Sequence, residues 1–374
     1  MRWGPLVVAV LAAVLAAQAT ASPPPRVSAP SYVVESAVDG STLAARAPAQ
    51  PRAIASITKL MTVLVALEHA RLDETVVVPR QATGIGEATA GLRPGERVTV
   101  RDLVVGTLVP SGNDAATALA LHVGDGSIAR FVALMNDKAR ALRLRDTHFA
   151  NPHGLDQPGH RSSAQDTVAL LRAALRRPFV RTWASRRVAT LSTGRTVETT
   201  DDLLRRLPQL VAGKTGHTAD AGWSQVAVAR AGGVTVYASV LGAPTREARN
   251  DDLESLLRWA LAQYRRSRVI DPSRTYAVAR TGWGRPDVRL VARRLVVRPA
   301  PVGRPLVERV VAPVVVALPV VRGQRLGEVR VYDGRRLVAR AELVADRAVS
   351  EPGLPGKTAF VIRRAVHHLA GLVT

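Results

Sequence analysis

The apolar residues of this chain follow two different periodicities, and the pattern changes near Asp271-Pro272. Before that point, Ser127–Leu144 carries apolar residues at helical spacing, which predicts an amphipathic helix. After it, short valine-rich runs alternate with proline, glycine and the turn dipeptide Asp333-Gly334. That pattern is typical of a small all-β domain. We therefore expect a mixed domain of helices and strands, followed by a separate β-domain.

Three segments indicate how the first domain is built. Ser31–Glu35 and Ser41–Ala45 flank Asp39-Gly40, which predicts a β-hairpin. Ile57–His69 is apolar nearly all round, as expected of a buried core helix. Val234–Leu241 is almost continuously apolar and rich in β-branched residues, which predicts a central strand covered on both faces.

Two further segments flank the predicted central strand. Ser224–Ala229 precedes it and is expected to pair with it through a Gly232-Gly233 turn. Arg246–Arg265 follows it and is predicted to be a helix. The first domain therefore combines helices with a sheet that contains antiparallel hairpins.

The composition excludes several classes of chemistry. The chain has no cysteine, so disulfides, thiolate catalysis and cysteine zinc sites are excluded. Its eight histidines form no His-Glu-x-x-His pattern, so a metalloenzyme has little support. We expect neither a metal nor another cofactor.

The charge is strongly positive and unevenly distributed. The formal net charge is +22, which first suggests nucleic acid or an anionic surface as a partner. Residues 271–374 carry 19 basic and 8 acidic side chains, so the C-terminal part is the more basic one. Only four of the basic residues are lysines, which makes each lysine position informative: Lys59, Lys138, Lys214 and Lys357.

The N-terminus predicts export from the cytoplasm. Arg2 precedes an apolar run, Leu6–Ala17, and the small-x-small pattern Ala19-Thr20-Ala21 follows it. This arrangement is typical of a secretory signal peptide, here residues 1–21. The alternative is an uncleaved membrane anchor, for which the run is short. In either case the bulk of the chain lies outside the cytoplasm, so we expect no nucleic-acid partner.

The last segment, residues 357–374, has the pattern of a basic amphipathic helix, with Phe360 as an exception. Such a helix at a chain end can lie in the membrane interface, and its basic face suits anionic headgroups. The alternative is a helix that packs on the β-domain. The predicted apolar face comprises Val361, Ile362, Ala365, Val366, Leu369, Leu372 and Val373, and the predicted polar face comprises Arg363, Arg364, His367, His368 and Gly371.

A possible nucleophile lies at the start of the predicted core helix. In Ser56-Ile57-Thr58-Lys59, the spacing places a hydroxyl and an amine on one helix face. A serine hydroxyl is a poor nucleophile until a nearby base takes its proton. A lysine can be that base if burial or another cation lowers its pKa, whereas arginine does not deprotonate in a protein. Ser56 and Lys59 are therefore candidates for nucleophile and base.

Two further motifs carry polar groups suited to the same chemistry. Ser111-Gly112-Asn113 lies between an apolar run and a helix predicted to start near Asp114. Its hydroxyl could relay a proton, and its amide could orient a substrate. Lys214-Thr215-Gly216-His217 offers a cation, a hydroxyl for a carboxylate and a glycine that allows close backbone approach. In isolation, each motif is also compatible with an ordinary turn.

Together, and in this order, the three motifs resemble the signature of penicillin-recognising serine enzymes. The chain is similar to the low-molecular-mass penicillin-binding proteins, the D-alanyl-D-alanine carboxypeptidases of the serine DD-peptidase family. The resemblance is carried most specifically by Ala55–Met61, Pro110–Ala116, residues 151–156 (Asn-Pro-His-Gly-Leu-Asp) and Gly213–Thr218.

The resemblance implies a domain organisation and an activity. A proline-rich leader, residues 22–30, would precede an α/β (α+β) catalytic domain, residues 31–268, in which helices flank an antiparallel sheet. A C-terminal β-sandwich, residues 274–350, and a membrane-anchor helix, residues 357–374, would follow. The enzyme would remove the terminal D-alanine from peptidoglycan pentapeptides at the outer face of the cytoplasmic membrane, in the periplasm or in the wall. β-Lactams would be its covalent inhibitors.

The resemblance also implies roles for the motif residues. Ser56 would be acylated, with Lys59 as its base. Ser111 would pass a proton to the leaving D-alanine, and Asn113 would hold the substrate amide. Lys214 would set the electrostatics beside Ser111.

The remaining implied roles concern binding of the substrate. Thr215 would bind the terminal carboxylate next to Gly216, and Arg249 falls where the family often has a carboxylate-binding arginine. The backbone N–H groups of Ser56 and His217 would form the oxyanion hole.

One departure and three alternatives remain. Thr200-Asp201-Asp202 stands where the family usually has asparagine, which puts the substrate contacts of that region in doubt. A class A β-lactamase uses a glutamate between the second and third motifs, and this chain has none between Glu96 and Glu198. A DD-endopeptidase shares all three motifs, so only the β-domain and the tail favour a carboxypeptidase. A non-catalytic wall-binding scaffold would not need the reactive residues that are all present.

Overall fold

The computed structural model describes residues 7–13 and 22–370, with side chains from residue 22 to residue 364. The chain forms two compact units: Pro23–Ala262, here the N-terminal unit, and Gln263–Thr374 together with Met1–Ser22, here the C-terminal unit. The division precedes the expected end of the catalytic domain at residue 268. The predicted helix Arg246–Arg265 ends at Ala262, and Tyr264–Ile270 forms a strand of the C-terminal unit instead.

The N-terminal unit combines short strands, one larger sheet and helices. Strand β1 (Val7–Ala13) belongs to the C-terminal unit, so the numbering here starts at β2. The strands of the N-terminal unit are β2 (Ser31–Ser36), β3 (Thr42–Arg46), β4 (Thr75–Val77), β5 (Arg97–Thr99), β6 (Val188–Thr190), β7 (Thr196–Glu198), β8 (Leu210–Thr218), β9 (Gly222–Ala231) and β10 (Val234–Ala243). Its helices are α1 (Lys59–His69), α2 (Val100–Leu108), α3 (Asn113–Val123), α4 (Ile128–Ala141), α5 (Ala164–Ala174), α6 (Pro178–Trp183), α7 (Leu203–Arg206) and α8 (Arg246–Ala262).

The main sheet of this unit has five antiparallel strands in the order β3-β2-β10-β9-β8. The predicted central strand is confirmed, because β10 occupies the middle position and is buried along most of its length. The predicted β2–β3 and β9–β10 hairpins are confirmed as well. Helices α5 and α8 pack against this sheet. Strand β8 lies at one edge, so one side of its backbone is not used by a neighbouring strand of the sheet.

The core of the N-terminal unit is built around α1. Every residue from Lys59 to Ala66 is buried, in agreement with a sequence that is apolar nearly all round. Helix α4 is amphipathic, as predicted, and inserts Phe131 and Met135 into the same cluster. Burial of side chains of this size contributes roughly 1.5–3 kcal/mol each, which fixes the start of α1 as a rigid platform.

The C-terminal unit is all-β apart from one terminal helix in its described residues. Its strands are β1, β11 (Tyr264–Ile270), β12 (Thr275–Thr281), β13 (Val288–Ala292), β14 (Val296–Pro301), β15 (Val307–Pro313), β16 (Val315–Val316), β17 (Arg325–Asp333) and β18 (Arg336–Ala345), and its helix is α9 (Leu354–Ala370). Seven strands form one sheet in the order β1-β15-β17-β18-β13-β12-β16, and β11 pairs with β14. The valine-rich runs of the sequence are therefore strands, as predicted.

The sequence predicts a signal peptide at the N-terminus and a membrane-anchor helix at the C-terminus. Strand β1 lies within the predicted signal peptide and pairs antiparallel with β15. The predicted cleavage site after Ala21 lies outside the described residues. Within residues 7–13 and 22–370, no single helix is long and apolar enough to cross a bilayer. Helices α3 and α4, which are bent by 91° relative to each other, meet the length and composition criteria only when they are taken together.

Helix α9 begins near the predicted anchor and contacts its own unit through its first turns. The ring of Phe360 meets that of Trp283 edge-on, with their centroids 6.0 Å apart, and Lys357 Nζ lies 5.4 Å from the centre of the Trp283 ring. Val361 and Ile362 remain 56% and 58% exposed. The other members of the predicted faces, from residue 365 onward, lie outside the described side chains.

Candidate active site

The candidate nucleophile lies on a tight turn that leads into α1. Ala55–Thr58 forms a single 3-10 turn, in which Ala55 has a positive φ of 46° and Ser56 is partly exposed. Gly154, with φ of +93°, supports this turn from the segment 151–156. A Cβ atom at Gly154 would lie 1.9 Å from the carbonyl oxygen of Ala55, so only glycine fits there.

Lys59 is fully buried and points back to Ser56. Its Nζ lies 2.6 Å from Ser56 Oγ. The same Nζ lies 2.6 Å from Asn113 Oδ1 and 3.0 Å from the carbonyl oxygen of His153. Three polar partners therefore surround an amine that is 0% exposed.

The electrostatic environment favours the neutral form of Lys59. Burial lowers the pKa of Lys59 well below the usual value, and the positive charge of Lys214 lowers it further. The negative charges of Glu87 and Asp114 act in the opposite direction and are smaller effects. A lysine whose pKa is lowered in this way is more readily present as the neutral amine that can accept a proton.

Ser111 and Lys214 form a second hydroxyl–amine pair. Lys214 Nζ donates to Ser111 Oγ at 2.8 Å and to the carbonyl oxygen of Thr215 at 3.0 Å. Ser111 and Lys214 are 3% and 2% exposed. Burial lowers the pKa of Lys214 to about 7, with Asp201 raising it and Arg249 lowering it. Near neutral pH, this amine can therefore both carry and release a proton.

Asn113 connects the buried lysine to a neighbouring loop. Its Oδ1 accepts from Lys59, and its Nδ2 donates to the carbonyl oxygen of Gly86 at 2.8 Å. Its backbone N–H donates to the carbonyl oxygen of Ala88, also at 2.8 Å. The predicted substrate-amide ligand is thus also a structural link between Lys59 and residues 86–88.

Edge strand β8 carries the third motif past the nucleophile. A Cβ atom at Gly216 would lie 2.7 Å from the carbonyl oxygen of Ile54 and 3.1 Å from the backbone nitrogen of Ser56. Glycine therefore brings the β8 backbone against the nucleophile turn. Thr215 Oγ1 lies 2.7 Å from Thr200 Oγ1. The exposed ring of His217 stacks on Trp223, with centroids 4.0 Å apart.

Arg249 lies at the candidate site, and its guanidinium already binds two neighbouring side chains. It is 2% exposed, and its guanidinium donates to Asn250 Oδ1 at 2.6 Å and to Asp202 Oδ2 at 3.3 Å. Asp202 also pairs with Arg246 at 2.6 Å. The departure noted in the sequence therefore places a carboxylate, Asp202, between two arginines.

One cavity of about 490 Å³ brings the predicted residues together. Ser56, Ser111, Thr215, Gly216, His217 and Arg249 all line it. Lys59, Asn113 and Lys214 are buried and do not line the cavity, and the two lysines contact the lining residues Ser56 and Ser111. In the described chain, no group of three or more histidine, cysteine, aspartate or glutamate residues could hold a metal ion.

Four cavity residues were not singled out from the sequence: Glu87, Ala88, Trp223 and Arg246. Trp223 could have been found, since the β8–β9 hairpin places it directly opposite His217. Arg246 lies one helical turn before Arg249 on α8, which is also a usable signal. Glu87 and Ala88 come from one loop and carry no such signal, whereas Thr200 belongs to the segment already noted as a departure from the family pattern.

A buried histidine anchors the nucleophile turn from behind. His160 Nε2 lies 2.7 Å from Thr58 Oγ1, and His160 Nδ1 accepts from the backbone N–H of Ala150 at 3.1 Å. Because Nδ1 is an acceptor, the neutral ring carries its proton on Nε2. Burial, and to a smaller extent His148, lower the pKa of His160 to about 4, while Asp156 acts in the opposite direction.

Comparisons with known proteins agree with this geometry. A family model described as D-alanyl-D-alanine carboxypeptidase matches residues 17–245. The D-alanyl-D-alanine carboxypeptidase DacD of Escherichia coli is 33% identical over 345 residues, which cover 88% of each chain. The structure of penicillin-binding protein 5 from Haemophilus influenzae matches with a TM-score of 0.64 and 28% identity, covering 88% of this chain and all of that one. A D-alanyl-D-alanine carboxypeptidase structure from Mycobacterium tuberculosis matches with a TM-score of 0.62 and 33% identity, over 66% of this chain and 95% of that one.

The chain belongs to the D-alanyl-D-alanine carboxypeptidase family. The predicted class of enzyme, a serine-type carboxypeptidase, is confirmed. The predicted fold, a penicillin-recognising domain with an additional C-terminal β-domain, is confirmed as well.

Lowering the pH should destabilise the protein in part through His160. Its pKa is about 4 when folded, against about 6.5 in a model peptide. The unfolded chain therefore binds more protons between these values. This contribution is fully present above pH 6.5 and is lost as the pH falls towards 4, at a total cost of roughly 3 kcal/mol. We expect His160→Asn to lose stability at pH 7 and to show a shallower decline below pH 6.5. Urea unfolding from pH 4.5 to 7.5 measures both slopes, and parallel slopes would contradict this assignment.

Proposed function

We propose that Ser56 carries out D-alanyl-D-alanine hydrolysis through an acyl-enzyme, with Lys59 as the base. The observation that carries this proposal is the position of Lys59 Nζ, which lies 2.6 Å from Ser56 Oγ in a fully buried environment. At this distance, a proton can pass directly between the two atoms.

The contacts of Lys59 can accommodate a neutral amine as well as an ammonium group. A neutral amine has two N–H donors and one lone pair, whereas an ammonium group has three donors and no lone pair. Asn113 Oδ1 and the carbonyl oxygen of His153 can accept the two N–H bonds. The lone pair is then left for the hydroxyl proton of Ser56, which activates Ser56 Oγ for attack.

Attack by Ser56 Oγ forms a bond to the carbonyl carbon of the penultimate D-alanine. The negative charge that develops on the carbonyl oxygen is stabilised by the backbone N–H groups of Ser56 and His217. The close approach of β8 at Gly216 supports this arrangement, because it brings the two backbones together.

Departure of D-alanine requires a proton on its nitrogen. Ser111 supplies it, and Lys214, 2.8 Å from Ser111 Oγ, restores the Ser111 proton. A pKa of about 7 suits Lys214 to this task. Water then attacks the acyl-enzyme and the ester bond to Ser56 Oγ breaks: hydroxide goes to the acyl group, the proton held by Lys59 returns to Ser56 Oγ, and the proton released from the water restores the charge of Lys214.

The terminal carboxylate is bound by Thr215 and Arg249. Thr215 offers a hydroxyl at the cavity, and the Arg249 guanidinium lies in the same wall. Thr200 Oγ1, 2.7 Å from Thr215 Oγ1, orients that hydroxyl. A substrate with a free C-terminal carboxylate is therefore preferred to a cross-linked chain in which this group is blocked.

Purified protein should release D-alanine from a muramyl pentapeptide and leave a tetrapeptide. Thr215→Val should lower kcat/KM by about 10- to 100-fold, the usual range for losing a hydrogen bond to a charged group. Thr190→Val, on exposed strand β6, is the matched control and should retain full activity. Faster cleavage of cross-linked dimers than of pentapeptide would instead favour the endopeptidase alternative.

We also propose that the exported enzyme contacts the membrane through α9. Phe360 and Lys357 hold the start of the helix to Trp283, while Val361 and Ile362 stay exposed. Exposed apolar side chains next to a basic helix face favour the interface of an anionic membrane. The packed-helix alternative accounts for Phe360 but leaves Val361 and Ile362 uncovered.

Deleting residues 357–374 should release the protein from anionic vesicles without loss of activity on soluble peptide. Replacing both Val361 and Ile362 with aspartate should have the same effect, because it removes the apolar contact and keeps the helix length. Flotation with vesicles of mixed neutral and anionic lipid measures the bound fraction. Equal flotation of all three proteins would show that α9 is not the anchor.

A further inference from the structure

We propose that Glu87 selects peptides that carry a positively charged amine on the acyl side of the scissile bond. This inference rests on the proposed function and adds a substrate preference to it. Glu87 lines the same cavity as Ser56 and comes from the loop before the second motif. The steps above do not use this carboxylate directly, and its only effect on them is a small opposing influence on the pKa of Lys59.

The backbone holds Glu87 in an unusual conformation. Its φ is +67°, a left-handed value that is costly for a residue other than glycine. Asn113 fixes the loop on both sides, because its Nδ2 donates to the Gly86 carbonyl and its N–H donates to the Ala88 carbonyl. The residue that orders Lys59 therefore also positions Glu87.

Further contacts hold the following part of the loop to helix α3. Asp114 Oδ1 accepts from the backbone N–H of Ala90, and Asp114 Oδ2 accepts from that of Leu92 and from Thr89 Oγ1. Asp114 is 3% exposed, so these bonds are sheltered from water. Glu87 thus lies on a well-anchored segment, although its own side chain is exposed.

The charges around the cavity differ from one wall to another. Arg246 and Arg249 on α8 are the cations of the lining, and we assign this wall to the terminal carboxylate. Glu87 is the acidic member of the lining, and its carboxylate makes no hydrogen bond or ion pair with the described residues. Once the carboxylate end of a peptide is held by Thr215 and Arg249, the part before the scissile bond is free to meet Glu87.

An ammonium group is the chemistry that complements an unpaired carboxylate at such a position. A pentapeptide stem with a diamino acid before its D-alanyl-D-alanine presents such an amine. A partly exposed pair of this kind changes binding by a few-fold, and a fivefold effect is about 1 kcal/mol. Glu87 therefore tunes specificity, whereas Ser56 and Lys59 carry out the acylation in the proposed function.

The test compares Glu87→Gln with wild type on two pentapeptides, one with the free amine and one with the same amine acetylated. We expect wild type to prefer the free amine by roughly fivefold in kcat/KM, and Glu87→Gln to abolish that preference. Glu198→Gln removes the same charge from the end of strand β7, at a residue that does not line the cavity, and should keep the preference. The lifetime of the β-lactam adduct, which lacks this amine, should be the same in all three proteins.

Each other outcome has a distinct meaning. An unchanged preference in Glu87→Gln would overturn the proposal. Equal losses on both peptides, with a longer-lived β-lactam adduct, would also overturn it and would make Glu87 a residue that activates the deacylating water. Failure of wild type to release D-alanine from either peptide would instead refute the proposed function itself.

Discussion

The burial of Lys59 between Ser56 and Asn113 is the constraint on which the rest of the site depends. A lysine without water must either lose its charge or find compensating partners. Here the apolar helix α1 excludes water, and Lys214 adds a second positive charge nearby. Both effects favour the neutral amine, which is the form that can activate a serine. The large core around α1 is thus part of the chemistry as well as of the stability.

The backbone around this amine is strained at three positions. Ala55, Glu87 and Ser111 all have positive φ values, and all lie at or next to the cavity. A residue in this conformation lowers the stability of the fold by about 1–3 kcal/mol, so the conformation persists only where the surrounding structure holds it. Gly154 and Gly216 allow the close approaches that fix Ala55, whereas Asn113 holds the loop of Glu87 and Lys214 contacts Ser111. The strained backbone holds Ser56, Ser111 and Glu87 rigidly at the cavity, which suits the roles that we propose for them.

The sequence predicted the parts of the site that depend on local spacing. Ser56 and Lys59 meet because they lie three residues apart at a helix start, and β10 is central because it is apolar on both faces. The sequence did not predict contacts between distant loops. The Thr200–Thr215 contact and the Asp202–Arg246–Arg249 cluster join segments that only the sheet topology brings together. The strand at Tyr264–Ile270 was missed for a similar reason, since its pairing partner β14 lies about thirty residues later.

The central claim is that Lys59 is the base for Ser56, and acylation by a β-lactam tests it most directly. Intact-mass measurement over pH 5–10 should show a covalent adduct on wild type and none on Ser56→Ala. Lys59→Arg keeps the positive charge but cannot release a proton, so its acylation rate should fall by at least about 10²–10⁴-fold while circular dichroism shows an unchanged fold. Retention of more than about a tenth of the wild-type rate in Lys59→Arg would show that Lys59 acts only as a fixed cation and would contradict the account.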